Sequence, residues 1–160
     1  MPPFTVPPVT AVAGALLALL YLALAVRIVA LRYRTRTSLG GGLSEPGNAD
    51  RLKTPEARLF VAVRSHGNFA EYVPLALLLL AWVEAGSATR TLPVALAVAL
   101  AVGRCLHPVG LHRPSPNAFR AAGVVLTFCV IGVVSSYQLG LAASTIMTSS
   151  DERRTRDIER

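Results

Sequence analysis

The feature that most constrains this fold is a long apolar block near the start of the chain. It runs from about Val9 to Leu31 and meets no charged residue before Arg27. A helix needs about 20 apolar residues to cross a bilayer, so the block is long enough to span a membrane. A cleaved signal peptide would begin with a basic region and carry a shorter apolar core. Because the chain begins MPPFTVPP without a charge, we expect a retained transmembrane helix.

Three more apolar segments follow, separated by stretches rich in proline, glycine and charge. The pattern predicts a single domain, an all-α integral membrane protein built as a bundle of four transmembrane helices. The third segment is barely long enough to cross the bilayer, and an extension of its helix into the next loop stays open. We predict helices at about residues 9–31, 55–85, 91–106 and 118–143, a polar loop at 32–54, a turn at 107–118 and a mixed-charge tail at 144–160.

The second predicted helix has clear start signals and one internal proline. Thr54 can cap the helix, Pro55 suits its first position, and Glu56 places a negative charge in the first turn. Pro74 lies inside the helix and removes one backbone hydrogen bond, so we expect a kink there.

The charge distribution predicts membrane orientation rather than nucleic-acid binding. The net charge is +7, but the basic residues lie between the apolar blocks and no aromatic residues alternate with them for base stacking. Nine of them fall on the side of the first and third loops and five on the other side. The positive-inside rule then predicts a cytoplasmic first loop and termini outside. Fifteen basic residues are arginine and only one is lysine, Lys53. A GC-rich genome produces this bias, so the composition also favours a bacterial source. The membrane would then be the cytoplasmic (inner) membrane.

The two cysteines do not suggest a disulfide framework or a metal site. Cys105 and Cys129 lie far apart, each inside an apolar segment, which is unlike the cysteine pattern of a small secreted domain. We interpret both as packing residues. No paired Cys/His spacing for zinc occurs either, so no metal is expected.

A cluster of polar residues, VRSHGNFAEYVPL, lies on the second helix. An ionisable side chain at membrane depth costs at least about 2.5 kcal/mol, so it usually has a partner or a function. At 100° per residue, Arg64, Asn68 and Glu71 share a narrow arc, with Tyr72 at its edge and His66 on the opposite side. A guanidinium, an amide and a carboxylate together fit a zwitterionic, amino-acid-like ligand.

Structural explanations of the same residues remain open from the pattern alone. Arg64 and Glu71 can pair with each other, or Arg64 can extend to the membrane interface. His66 taken alone is commonly a packing or hydrogen-bonding residue, and Tyr72 can be a core or interface aromatic.

The sequence RSHGNFAEYVP resembles the signature of the MAPEG family, the membrane-associated proteins in eicosanoid and glutathione metabolism. The four spans and the GR and FRAAG sequences near the third and fourth helices also resemble bacterial members. The resemblance implies a homotrimer that binds glutathione, as a co-substrate, in a cytoplasm-facing cleft between subunits. It implies that the glutathione-binding residues include Arg64, Asn68, Glu71 and Tyr72, and that His66 reaches the site of the neighbouring subunit.

The same resemblance implies a catalytic arginine near the cytoplasmic end of the bundle. In catalytic members such an arginine stabilises the glutathione thiolate, which attacks a hydrophobic electrophile dissolved in the membrane. The candidates here are Arg104 and Arg113, and Arg32 of a neighbouring subunit is expected to contribute to binding. Arg120 has an alternative interpretation as an interfacial anchor of the fourth helix.

The chain also departs from its relatives, and this keeps a second function open. Some glutathione-using relatives carry tyrosines on the third helix, whereas this chain has none between Tyr72 and Tyr137; His107 stands there, where it can donate to a ligand or cap the helix end. We therefore expect a glutathione transferase or peroxidase or, alternatively, a non-catalytic lipid-binding or scaffold protein. A transporter is disfavoured because the central parts of the other helices lack ionisable residues.

Overall fold

Four long helices make up almost all of the chain that the structure describes. A computed structural model describes residues 7–38, 45–47, 50 and 52–158, with side chains as far as residue 150. Each helix contains a segment long and apolar enough to cross a membrane, which confirms the predicted all-α membrane fold. The helices are α1 (Pro8–Thr35), α2 (Pro55–Gly86), α3 (Thr91–Leu111) and α4 (Ala118–Ile158).

The bundle has two ends, which we name by the helix termini they contain. At the loop end, α1 and α3 finish and α2 and α4 begin. At the amino end, α1 begins and α2 finishes. The predicted orientation places the loop end in the cytoplasm, and this stays a prediction.

The predicted start of α2 is confirmed in detail. The Thr54 hydroxyl accepts a hydrogen bond from the backbone N–H of Ala57 at 3.1 Å, and Pro55 occupies the first helical position. A side-chain oxygen at this place satisfies one of the backbone donors that a helix start leaves unpaired. Pro74 lies inside α2, as predicted, and the helix continues past it to Gly86.

Two predicted boundaries are wrong. Helix α3 continues to Leu111 instead of ending at residue 106, because Pro108 removes only its own N–H bond and leaves the other backbone bonds in place. The turn after α3 is therefore confined to residues 112–117. The predicted tail after residue 143 is instead helical as far as Ile158. No glycine or proline follows Gly140, so nothing in this segment interrupts the helix.

The core lies along the inner faces of all four helices and is aliphatic except for Phe69. Large apolar side chains such as Leu16, Leu78 and Trp82 point outward, as expected for a surface that faces lipid. Cys105 and Cys129 are free and exposed on this single chain. Their interpretation as packing residues is therefore wrong within the subunit, because both lie on outward faces of their helices. The main core cluster contains Ala13, Leu17, Leu24, Phe69, Val73, Ala76, Leu80, Val83, Leu96, Ala97, Leu100, Val130 and Val134.

Helices α3 and α4 approach each other closely through glycines. A Cβ atom added at Gly110 would lie 2.3 Å from the backbone nitrogen of Arg120, and one added at Gly123 would lie 2.8 Å from the Cβ of His107. Neither position has room for a side chain. Small residues at a helix contact let two backbones come together, so these glycines set the separation of α3 and α4 at the loop end.

The start of α1 is capped by a side chain from α2. Glu84 accepts hydrogen bonds from the backbone N–H groups of Val9 and Thr10, at 2.8 and 2.7 Å, and from the Thr10 hydroxyl at 2.8 Å. The residue that precedes the helix, Pro7, supplies no side-chain cap of its own. A carboxylate at a helix N-terminus satisfies unpaired donors and complements the helix dipole. Glu84 therefore fixes α1 to the end of α2.

Replacing Glu84 with alanine is expected to lower the free energy of unfolding by about 2 kcal/mol, because three hydrogen bonds to a charged group are lost. Thermal unfolding of the detergent-purified protein measures the effect. Glu71→Ala is the matched control, since Glu71 is an exposed glutamate of the same helix. Equal effects of the two substitutions would contradict a capping role for Glu84.

Candidate functional site

The polar cluster of α2 lies toward the loop end and faces a buried arginine of α3. Arg104 is only 2% exposed. Its Nη1 donates a hydrogen bond to Oδ1 of Asn68 at 3.0 Å, and its Nη2 donates to the backbone oxygen of Gly123 at 3.1 Å. One guanidinium thus connects α2, α3 and α4 in the interior of the bundle.

This contact determines which atoms Asn68 can offer to a ligand. The side-chain oxygen of Asn68 is held by Arg104, and the residue itself is half-buried. Its amide nitrogen forms no hydrogen bond with the residues that the structure describes. Asn68 is therefore oriented as a donor, with its acceptor oxygen directed inward. A fixed rotamer of this kind lowers the entropic cost of binding.

Arg64 and Glu71 are exposed on the surface of the single chain. They do not form an ion pair with each other within the described range 52–158, so the self-pairing alternative is not what the structure contains. Both charges are available to a ligand or to another subunit. Leaving them in contact with lipid would be costly, because an ionisable group at membrane depth needs a polar partner.

A cavity of about 460 Å³ lies beside Arg64 at the loop end; we call it the α2–α4 cavity. Its volume is in the range of small-molecule sites. Arg64 of α2 and Arg120 of α4 both line it, so two guanidinium groups converge on one space. The sequence interpretation did not place Arg120 in the site, because the positions of α2 and α4 relative to each other are not readable from the motif. The remaining lining residues are Glu45, Phe60, Val61 and Leu111.

His66 and Tyr72 contact different neighbours. The His66 ring stacks on Tyr21 of α1, with ring centroids 4.3 Å apart and planes inclined by 27°. Tyr72 packs against Phe128 of α4 at 5.4 Å and lies within electrostatic range of Arg104. The helical arc is thus reproduced, since His66 faces α1 while Asn68 faces α3.

Arg113 and Arg32 lie apart from the contacts of Asn68. Arg113 is exposed and its guanidinium carbon sits 4.0 Å from the centre of the Phe119 ring, a cation–π contact between the α3–α4 connection and α4. Arg32 lines a separate cavity of about 470 Å³ at the end of α1, together with Tyr33, Arg36 and Thr37. Within one chain, therefore, the predicted arginines do not converge on a single point.

Two histidines, His107 and His112, lie near the end of α3, and both contact other residues of the bundle. His107 is buried inside the helix against α4, so its predicted role at the helix end is wrong because α3 continues past it. His112 instead follows the last residue of the helix. Burial is the largest influence on the pKa of His112 and lowers it; the Pro108 carbonyl oxygen, 2.6 Å from Nδ1, raises it, and Arg27 lowers it again. The net effect is a pKa of His112 below the usual value for histidine.

Comparison with known proteins agrees with the motif on α2. The MAPEG family model matches residues 10–139, which include all of the polar cluster and the paired glycines of α3 and α4. The inner membrane protein YecN of Escherichia coli K12 is 31% identical over 124 residues, which are 77% of this chain and 84% of that protein. YecN of Escherichia coli O6:H1 gives the same values. No solved structure matches the chain. The resemblance inferred from RSHGNFAEYVP is thereby confirmed, and the chain belongs to the MAPEG family.

Proposed function

We propose that this protein binds glutathione in a bacterial inner membrane and uses its thiolate on hydrophobic electrophiles, either joining glutathione to them as a transferase or reducing hydroperoxides with glutathione as a peroxidase. The observation that carries the proposal is the alignment of three groups near the loop end: Arg64 at the α2–α4 cavity, Asn68 oriented by Arg104, and exposed Glu71. Membership of the MAPEG family supports the assignment, and the inner-membrane relatives in Escherichia coli support the location.

The chemistry of these groups matches the functional groups of glutathione. The peptide carries two carboxylates, which suit the guanidinium groups of Arg64 and Arg120. Its ammonium group suits Glu71, and a peptide carbonyl suits the free amide N–H groups of Asn68. Each polar atom that the cluster offers thus has a counterpart in the ligand.

The thiol of glutathione would then be activated by an arginine. A nearby positive charge favours the thiolate, which otherwise forms near pH 8.5. The thiolate sulfur forms a bond to the electrophilic carbon, and the leaving group departs with the electron pair of the broken bond. Arg113 and Arg120 are the better placed candidates, because the guanidinium of Arg104 is already committed to Asn68 and Gly123.

The site is proposed to be completed by assembly into a homotrimer. Arg64 and Glu71 lie on an outer face of the single chain, where a second subunit would remove them from lipid. His66 and Arg32 lie on the α1 side, away from Asn68, and would reach the site of a neighbour rather than that of their own chain.

A non-catalytic lipid-binding or scaffold protein of the same architecture is the second candidate. The observation that favours it is the third helix, which carries no tyrosine and whose His107 is buried in the bundle. Such a protein would bind glutathione weakly or without turnover.

Titration of the detergent-purified protein with glutathione, followed by calorimetry and by thiolate absorbance, tests the proposal. Arg64→Ala is expected to weaken binding by about 2 kcal/mol, because a charged contact is lost. Arg113→Ala is expected to reduce the thiolate signal more than the affinity, whereas Arg120→Ala is expected to reduce both, because Arg120 also lines the cavity proposed to hold a carboxylate. Arg34→Ala is the control, an exposed arginine of α1.

The outcomes separate the candidates. If the wild-type protein gives neither heat of binding nor thiolate absorbance, the glutathione assignment fails. Binding without conversion of an aryl halide or a lipid hydroperoxide would favour the non-catalytic candidate. Conversion that is lost in the Arg113 or Arg120 variant would identify the arginine that stabilises the thiolate.

A further inference from the structure

An apolar groove runs between α1 and α3 at the amino end, far from the α2–α4 cavity. It has a volume of about 370 Å³ and is lined on one side by α1 from Pro8 to Leu16 and on the other by α3 from Val94 to Ala101. Among the residues that the structure describes, Arg90 is the one charged residue that lines it. Nothing in the polar cluster or in its proposed chemistry uses this groove.

The length of the groove corresponds to one leaflet of a bilayer. Its α1 wall covers eight helical steps and its α3 side, counted from Arg90 to Ala101, covers eleven. At 1.5 Å per residue these are about 12 and 16 Å, and half of a hydrocarbon core of about 30 Å is 15 Å. An apolar chain that entered beside Arg90 would therefore end near the bilayer centre.

The positive charge of Arg90, at one end of the groove, determines which kind of molecule fits. Arg90 is exposed and directly precedes α3. One acidic group, Glu84, interacts with Arg90 electrostatically, but the Glu84 carboxylate already accepts three hydrogen bonds from Val9 and Thr10. The site thus combines a guanidinium with an apolar groove. An anionic phospholipid matches both parts, because its phosphate suits the guanidinium and its acyl chain suits the groove.

We propose that this groove binds one anionic phospholipid from the leaflet at the amino end, with its phosphate on Arg90 and one acyl chain between α1 and α3. Small residues make the slot: Ala13 and Ala97 are buried at its floor, and Ala101 lies at its inner end. The valines on both sides supply the apolar walls. The site is separate from the glutathione site and does not depend on it.

Native mass spectrometry of the full chain, released from detergent containing equal amounts of phosphatidylglycerol and phosphatidylcholine, tests the proposal. The wild-type protein is expected to retain phosphatidylglycerol preferentially. Arg90→Gln is expected to reduce that retention about five-fold, the value of one arginine near an anionic lipid surface. Arg34→Gln, an exposed arginine at the loop end, is the matched control and is expected to leave retention unchanged.

A second pair of variants tests the slot itself. Ala101→Phe fills the inner end of the groove and is expected to reduce retention of both lipids, whereas Val102→Phe, an exposed neighbour outside the groove, is expected to have no effect. Equal retention of the two lipids by the wild-type protein would overturn the proposal, as would retention that is insensitive to both Arg90→Gln and Ala101→Phe. A shift of the oligomer distribution in Ala101→Phe, without a change in retained lipid, would show that another subunit covers the groove and would also overturn it.

Discussion

Gly110→Ala is expected to lower the free energy of unfolding by about 3 kcal/mol, at the upper end of the usual cost of overpacking. The added Cβ would lie 2.3 Å from the nitrogen and 2.6 Å from the Cα of Arg120. These are backbone atoms at the start of α4, so no side-chain rotation can relieve the contact. The helices must separate, and the close α3–α4 contact at the loop end is lost with them.

Denaturant unfolding in detergent, followed by circular dichroism, measures this loss. Gly132→Ala is the matched control, because Gly132 also lies in a helix but a Cβ there meets no atom within 4 Å. Its effect is expected to stay within about 1 kcal/mol, the difference in helix propensity between the two residues. A Gly110 variant as stable as the Gly132 variant would show that α3 and α4 can move apart at little cost.

Arg104→Ala is expected to destabilise the bundle by about 3 kcal/mol and to weaken glutathione binding. It leaves the oxygen of Asn68 without its donor, removes one of the donors to the Gly123 oxygen and opens a cavity between three helices. The loss of binding follows from the proposed function, since Asn68 would no longer be held with its amide N–H groups outward. Arg104→Lys keeps the charge and provides a folded variant if the alanine form is too unstable.

Two measurements distinguish positioning from thiolate stabilisation. If Arg104 acts through Asn68, its substitution changes the affinity but not the pH midpoint of thiolate formation in the bound state. The effects of Asn68→Ala and Arg104→Ala on binding should also be non-additive by about 1 kcal/mol or more, as for residues in direct contact. Thr127→Val is the control, because the Thr127 hydroxyl donates to the same Gly123 oxygen, whereas Asn68 accepts its hydrogen bond from Arg104. A raised thiolate midpoint in Arg104→Lys would instead make Arg104 a catalytic residue.

Local patterns predicted the fold well because membrane helices are defined by local properties. The four apolar spans, the Thr54 cap and the polar arc of α2 follow from hydropathy, side-chain chemistry and helical period. The end of α3 did not follow, since Pro108 is a strong breaker signal whose actual cost is a single backbone bond. The helical tail was missed because its charges suggested a loop, although charged residues are compatible with a helix.

The contacts that organise the site could not be predicted from local sequence patterns. Arg104 meets Asn68 across 36 positions of sequence, and Glu84 meets the start of α1 across more than 70. Both depend on which helices are neighbours. Glutathione binding, the trimer and the roles of Arg64, Glu71 and Arg113 stay predictions, because they depend on a ligand and on further subunits.

The Glu84 cap has a consequence for biosynthesis. The carboxylate that closes the start of α1 is encoded 75 residues after Val9, so the first helix enters the membrane before its cap exists. At a synthesis rate of about 5–20 residues per second, the cap is made roughly 4–15 s later. During that interval the first turn of α1 must be hydrated or held by the insertion machinery. We therefore expect the position of α1 to become final only when α2 has crossed, so that the two helices insert as a pair.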